Sequence, residues 1–223
     1  CGLYQQAPAL AQQGERTVST DELTGVQALE RAHPGLPMAP GKVERIEFEY
    51  IRHGTRSFIF SRDVVSGEVV APYAAPTRKE ADFWAHVQQV VASDPTVTRW
   101  HFVVDNLNTH YSASLVCWVA QESDLHMDLG IKGKSGVLQN SQSRVTFLSD
   151  PSHRIVFHYT PKHCSWLNQI ELWLSILVRK LLQRGSFTSV EQLQAKVLEF
   201  VAYYNRTMAK PFKWTYQGKP LTI

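Results

Sequence analysis

The stretch Ser165–Leu182, SWLNQIELWLSILVRKLL, constrains the fold more than any other part of the chain. Leu167, Ile170, Leu174, Leu177, Val178 and Leu181 recur at helical spacing and predict an amphipathic helix with one face turned inward. Glu171 lies on that stripe or at its edge, one turn from Leu167 and Leu174. A lone ionised carboxylate against an apolar face is costly unless something compensates it. The partner must be a cationic side chain, such as Arg179 or Lys162, or a metal ion.

At 223 residues with 43% hydrophobic content, the chain suits one large domain with a real core. No apolar run approaches the roughly 18 residues that span a bilayer, and the start lacks a secretory pattern. Cys1, Cys117 and Cys164 are odd in number and widely spaced. They form neither a disulfide framework nor a zinc site, and point to a reducing, cytoplasmic setting. A first residue of Cys rather than Met suggests a fragment. The net charge of +3 hides an asymmetry: residues 1–110 carry −3 and residues 111–223 carry +6. After Glu199 only basic charges remain, with Arg206, Lys210, Lys213 and Lys219 among Phe212, Trp214 and Tyr216. A basic half suits a polyanionic partner, or is an ordinary solvated surface.

Along the chain, Arg16–Asp21 predicts a short strand ending in an acid, and GLPMAPG within Pro34–Gly41 a loop. Glu44–Tyr50 alternates as a strand; Ser57–Val65 and Glu68–Tyr73 follow around a Ser66–Gly67 turn, an antiparallel meander. Thr77 to Glu80 reads as a capping box opening a helix with Phe83, Trp84, Val87, Val90 and Val91 on one face. Trp100–Val104 is a buried strand ending at Asp105, Ser112 to about Glu122 a helix, and residues 124–154 an irregular Gly- and Ser-rich segment. Ile155–Tyr159 is a fifth apolar strand, and a last helix runs from a Thr188–Glu191 cap to about Asn205. This order predicts an α/β domain: a mixed five-stranded sheet flanked by helices, in the element order of the ribonuclease H-like fold.

In that fold Asp21, Asp105 and Glu171 converge at one end of the sheet, provided the first and fourth strands are neighbours. Three hard oxygen ligands suit Mg²⁺ or Mn²⁺ rather than zinc. Two such ions can activate a nucleophile and stabilise a leaving oxygen in phosphoryl displacement. Taken singly, Asp21 also fits a turn, Asp105 with Asn106 a strand-to-helix cap, and Glu171 an ion pair or a wet helix edge.

At these residues the chain resembles the DDE transposases, in the bacterial insertion-sequence branch of the Tc/mariner superfamily. The matching motifs are STDE (Ser19–Glu22), EYIRHGT (Glu49–Thr55), VVDNLNTH (Val103–His110), YTPKHCSWLNQIELW (Tyr159–Trp173) and NRTMAKPFKWTY (Asn205–Tyr216). The resemblance implies a single catalytic domain over residues 1–223, with Asp21, Asp105 and Glu171 binding two Mg²⁺ or Mn²⁺ ions. It also implies double-stranded DNA as partner, both transposon ends and target, and a homodimer assembled on that DNA. An upstream helix-turn-helix region normally precedes such a domain, and residues 1–15 supply none. The second and third acids are 66 positions apart, wider than is usual in the superfamily; residues 124–154 account for the excess, as a surface loop or a DNA-contacting arm. A ribonuclease H-type nuclease without strand transfer, or an inactive DNA-binding remnant, shares the same acids.

Several residues stand beside this triad as candidates. Asn106 and His110 follow Asp105, and the histidine could orient a bound water, touch phosphate, or merely start a helix. Arg52 and His53 either reach the scissile phosphate or metals, or form a hairpin-end salt bridge. Asn168 could brace Glu171 or serve the helix N-terminus. His163, beside Cys164, fits packing or DNA contact better than nucleophilic catalysis. Lys210, Lys213 and Trp214 contact DNA, or belong to a tail folded back on the domain. The loop at 34–41 corresponds in position to one that related transposases use to clamp a partner subunit.

Overall fold

In a computed structural model, residues 1–162 and 164–216 are described. Eleven elements run in the order α1 (Gly2–Gln12), β1 (Glu15–Arg31), β2 (Tyr50–Asp63), β3 (Val69–Ala75), α2 (Glu80–Ala92), β4 (Arg99–Val104), α3 (Ala113–Glu122), α4 (Ser141–Leu148), β5 (Ile155–Tyr159), α5 (Ile170–Leu177) and α6 (Val190–Thr207). The five strands form one sheet in the order β3-β2-β1-β4-β5. β1, β2 and β3 pair antiparallel, while β4 is parallel to both β1 and β5. The first and fourth strands are therefore neighbours, and this is the mixed sheet predicted from the element order.

Strand alternation sorts the two faces. Phe102, Val104, Ile155 and Phe157 point toward α2 and α3, where Phe83, Val87, Leu115 and Val119 complete one core. Phe58 and Phe60 point the other way, onto Trp173 and Leu177 of α5 and Leu193, Val197 and Tyr204 of α6. Trp173 is wholly buried with its ring 4.6 Å from Phe60, making it the anchor of α5. A smaller cluster seats α1 through Tyr4 and Ala7 against Val64 and Val103.

Several boundaries differ from the sequence reading. β1 does not end at Asp21 but runs ten residues further as a hairpin arm with β2, because the antiparallel ladder satisfies its backbone beyond the last parallel contact at Ser19–Val103. Gly25, at φ +64, absorbs a register shift between Leu23 and Val26 on this arm. Glu44–Glu49 is not a strand despite its alternation; isolated bridges at Leu36–Arg45 and Ala39–Lys42 and a bond from Ala32 N to Glu49 O close this excursion. Its apolar side chains, with Met38 76% and Phe48 81% exposed, have no sheet face to pack on. The N-terminal dozen residues form α1. Residues 124–154 are not a loose loop either: Asn140 caps α4, and Leu138, Phe147 and Leu148 join the main core.

The Ser112 cap is as expected, whereas α6 is capped by Ser189 rather than by a Thr188–Glu191 box and α2 closes on a different acid. Ser112 and Ser189 accept from Leu115 N and Gln192 N at the starts of α3 and α6. At α2 the closing acid is Asp82, bonded to Lys79 N and Thr77 Oγ1, while Glu80 turns to Ser114. The Ser66–Gly67 turn holds: Asp63 Oδ1 accepts from Val65 N and Ser66 N, and a Cβ on Gly67 would stand 2.2 Å from the Lys210 carbonyl.

Candidate active site

Asp21, Asp105 and Glu171 line one cleft of about 670 Å³, together with Glu22, Leu23, Ser175 and Arg179. Each arrives from a different element for a local reason. Asp21 sits in β1 two residues past its last pairing with β4, and Asp105 follows the last residue of β4. Both stand where the parallel sheet stops. Glu171 lies in the first turn of α5, which is shorter than predicted. The expected helix over 165–182 is instead a 3₁₀ turn at Ser165–Leu167, α5 itself, and a π-helical turn at Val178–Leu182.

Asn168 fastens that arrangement. It is completely buried, its amide nitrogen donating to Thr20 O at 2.8 Å and reaching Asp21 Oδ2 at 3.4 Å. Its oxygen is bonded to the Ser19 hydroxyl, which also accepts from Ile170 N at 2.9 Å. The start of α5 is thus pinned to β1, and Glu171 N bonds Asn168 O at 3.1 Å. Of the two roles read for Asn168, bracing Glu171 and serving the helix N-terminus, it serves the helix start directly and steadies Asp21 rather than the Glu171 carboxylate.

His110 is buried beside the acids in a 3₁₀ turn, its ring 4.2 Å from Phe83. Its Nδ1 lies 2.8 Å from Asp105 Oδ1, which also accepts from Leu107 N, and its Nε2 faces Glu22 Oε1 at 3.6 Å. Burial works to lower the histidine's pKa, yet Asp105 and Glu22 push it up to about 9. It is an imidazolium between two carboxylates at neutral pH. Burial acts to raise Asp105 as well, but the hydrogen bond and charge of His110 hold it below its usual value. Asn106 turns away, donating to Thr160 O.

The other two acids are strained by their surroundings. Asp21 is pushed up to about 7, first by burial and then by the charges of Asp105 and Glu171, against the Glu22 amide that donates to it. Glu171 is also raised, by burial and then by Asp105. Among the described residues its carboxylate has no ion pair or hydrogen bond; Arg179, further along the cleft, donates Nε to Ser175 O instead. No set of three or more His, Cys, Asp or Glu side chains among the described residues is already arranged to hold a metal ion. The donor chemistry nevertheless fits a hard divalent cation: three carboxylates face one cleft, two with raised pKa values, and the one histidinium is occupied by Asp105 and Glu22.

Glu22, in the sequence reading only the last residue of STDE, also joins the cleft. The signal lay in the period of two: Ser19 and Asp21 face α5, whereas Thr20 and Glu22 face α2 and His110.

The remaining candidates lie elsewhere. Arg52 pairs opposite Leu29 on the distal arm of β2, and the side chain of the neighbouring His53 bonds Glu30, whose strand partner is Ile51, at 2.6 Å. Seven or more residues along the strand separate them from Phe60, the partner of Asp21, and neither lines the cleft. Of their two readings the hairpin contact is the one seen, as the His53–Glu30 hydrogen bond. The tail folds back: Lys210 O accepts from the buried Arg62, whose guanidinium stacks on Phe212, and Trp214 packs edge-on against Tyr4. The Lys210 and Lys213 side chains stay exposed. His163 lies outside the described residues.

The model of the DDE superfamily endonuclease family matches residues 16–194. No curated protein matches the sequence. Among solved structures, the Mos1 mariner paired-end complex with Mn aligns over 90% of this chain and 54% of its own, at 13% identity and a TM-score of 0.51. The Mos1 transposase paired-end complex with left transposon end aligns over the same shares at 13% identity and a TM-score of 0.50. The chain spans about half the length of these solved relatives and shares their ribonuclease H-like fold. With a family match covering most of its length and containing all three cleft acids, the chain belongs to the DDE superfamily endonucleases.

Proposed function

We propose that this chain is the catalytic domain of a transposase that cuts DNA at transposon ends and joins those ends to target DNA. The observation that carries the reading is a cleft in which three carboxylates from separate elements crowd together, with Asp21 and Glu171 held above their usual pKa values. Folding does not create such repulsion for stability; it suits a site that waits for positive charge.

On this reading Asp21, Asp105 and Glu171 hold two Mg²⁺ or Mn²⁺ ions, which when bound supply Lewis acidity at a phosphate and ease deprotonation of the attacking oxygen. Water is the nucleophile for cleavage and a DNA 3′-hydroxyl for joining. The chain's own residues do the preparatory work. Asp21, close to half-protonated near neutrality, releases its proton as positive charge enters. His110 keeps Asp105 ionised and fixes its rotamer. Arg179, two turns from Glu171, offers positive charge to a strand lying along α5.

Double-stranded DNA is the proposed partner, and a pair of subunits the proposed assembly. The exposed Met38, Val43 and Phe48 of the 32–49 excursion give that pairing an apolar surface. The Mos1 structures of like fold are themselves paired-end complexes. Asp105→Asn is expected to abolish strand cleavage in Mg²⁺ while the thermal unfolding transition survives. Full activity in that variant overturns the assignment. A joining assay with pre-cut ends separates a transposase from a nuclease of the same fold, because only the transposase yields joined product.

A further inference from the structure

The turn that launches α5 has little packing of its own. No residue of Ser165–Leu167 is buried, and a cavity of about 100 Å³ lies between α1 and residues 158–161 and 167. Asn168 holds the turn to β1 from one side. From the other side the holding group is the Tyr4 hydroxyl, which donates to Leu167 O at 3.0 Å and accepts from Gln169 N at 3.3 Å. One oxygen thus grips the backbone on both sides of Asn168.

Tyr4 is well placed for that task. It is 7% exposed, its ring meets Trp214 at 5.1 Å, and Ala7, Val64 and Val103 complete its pocket. Gln169 is itself buried, its Oε1 lying 3.4 Å from Arg62 Nη1. Glu171 is one hydrogen bond away, through its amide on Asn168 O. A backbone group left unbonded here would be costly, so the turn and α1 hold each other's position.

We propose that Tyr4 is a positioning residue for Glu171: through its hydroxyl, docked α1 sets the approach of that carboxylate to Asp21 and Asp105, and so the affinity of the cleft for a divalent cation. This rests on the metal-site reading given above. A group that orients a ligand from outside contributes measurably to metal affinity. Tyr4→Phe keeps the ring on Trp214 and removes only the oxygen.

The test is calorimetric titration of Mn²⁺ into the wild-type chain, Tyr4→Phe and Val201→Ala, with thermal unfolding of each in chelator. Val201 is buried in α6, bears no polar group on the turn, and serves as a comparator that loses stability alone. Tyr4→Phe is expected to weaken Mn²⁺ binding roughly three- to tenfold, with Val201→Ala unchanged. Equal affinity in Tyr4→Phe and wild type overturns the positioning role and leaves the metal site standing. Weakening in both variants in proportion to lost stability also overturns it, as a general effect of loosening. A wild-type chain that binds no Mn²⁺ overturns the metal-site reading itself, and the role of Tyr4 with it.

Discussion

Asp21→Asn should make the metal-free protein more stable, and only at neutral or alkaline pH. The folded chain holds the Asp21 pKa at about 7 against an ordinary value of 3.8. At about 1.36 kcal/mol per pH unit, that difference is worth about 4 kcal/mol at most, and water at the cleft mouth screens it to about 2–3 kcal/mol. The sign follows from proton counting. Below about pH 4 the group is protonated folded and unfolded alike, and no penalty exists. As pH rises to about 7 the folded state alone keeps the proton and steadily loses relative stability; above that the penalty is complete. Asparagine escapes it but can accept only one of the bonds from Glu22 N and Asn168, returning about 0.5–1 kcal/mol. A net gain of about 2 kcal/mol corresponds to roughly 4–8 °C in a chain of this size. Thermal unfolding in chelator at pH 8 and pH 4.5 should show the gap wide at the first and nearly closed at the second. Added Mn²⁺ should stabilise the wild type and not the variant. A variant no more stable than wild type at pH 8, or a gap indifferent to pH, refutes the crowded-carboxylate argument.

Two further outcomes follow from the neighbouring groups. His110→Ala leaves Glu22, 3% exposed, buried without its cation, and should cost about 3–5 kcal/mol in urea denaturation, partly recovered by adding Glu22→Gln. Because the folded His110 pKa is raised to about 9, its stabilisation is complete below 6.5 and lost as pH rises through 9, so the wild type should lose that advantage over His110→Ala between those limits. Asn168→Ala strips partners from the Ser19 hydroxyl and the Thr20 carbonyl and should cost about 2–4 kcal/mol by the same denaturation measurement.

What the sequence disclosed was chiefly what periodicity records. The apolar run at Trp100–Val104 became β4, a central strand buried on both faces, and the run at Ile155–Tyr159 became β5, the strand that pairs with it at the sheet edge. With β1 next to β4, the three acids fell at one end of the sheet as their positions implied. What escaped was structure held by distant partners. Leu-Thr-Gly after Glu22 carries a turn signature, yet the ladder with β2 carries the chain through Gly25 with a bulge. Glu44–Glu49 shows the converse: perfect alternation without a neighbouring strand or a core remains irregular. α4 buries only Phe147 and Leu148, too few to print a helical stripe, and depends on its Asn140 cap. The 3₁₀ turn before α5 breaks a sequence that is helical by spacing, because Asn168 and Tyr4 capture its backbone.

The cleft's frame and its acids divide the thermodynamic work between them. Around the start of α5, Ser19, Asn168, Thr20 and Ser61 form a buried polar chain in which each hydroxyl or amide finds a partner, ending on His86. Burial drives His86 down to about 3, so that imidazole stays neutral and adds no positive charge to the site. His110, the buried cation beside the acids, is committed to Asp105 and Glu22. Asp21 and Glu171 are left with raised pKa values beside a hydrogen-bonded junction of α5 with β1. Crowded carboxylates beside a hydrogen-bonded helix start form an arrangement in which a divalent cation gains on binding, since its charge relieves their mutual repulsion.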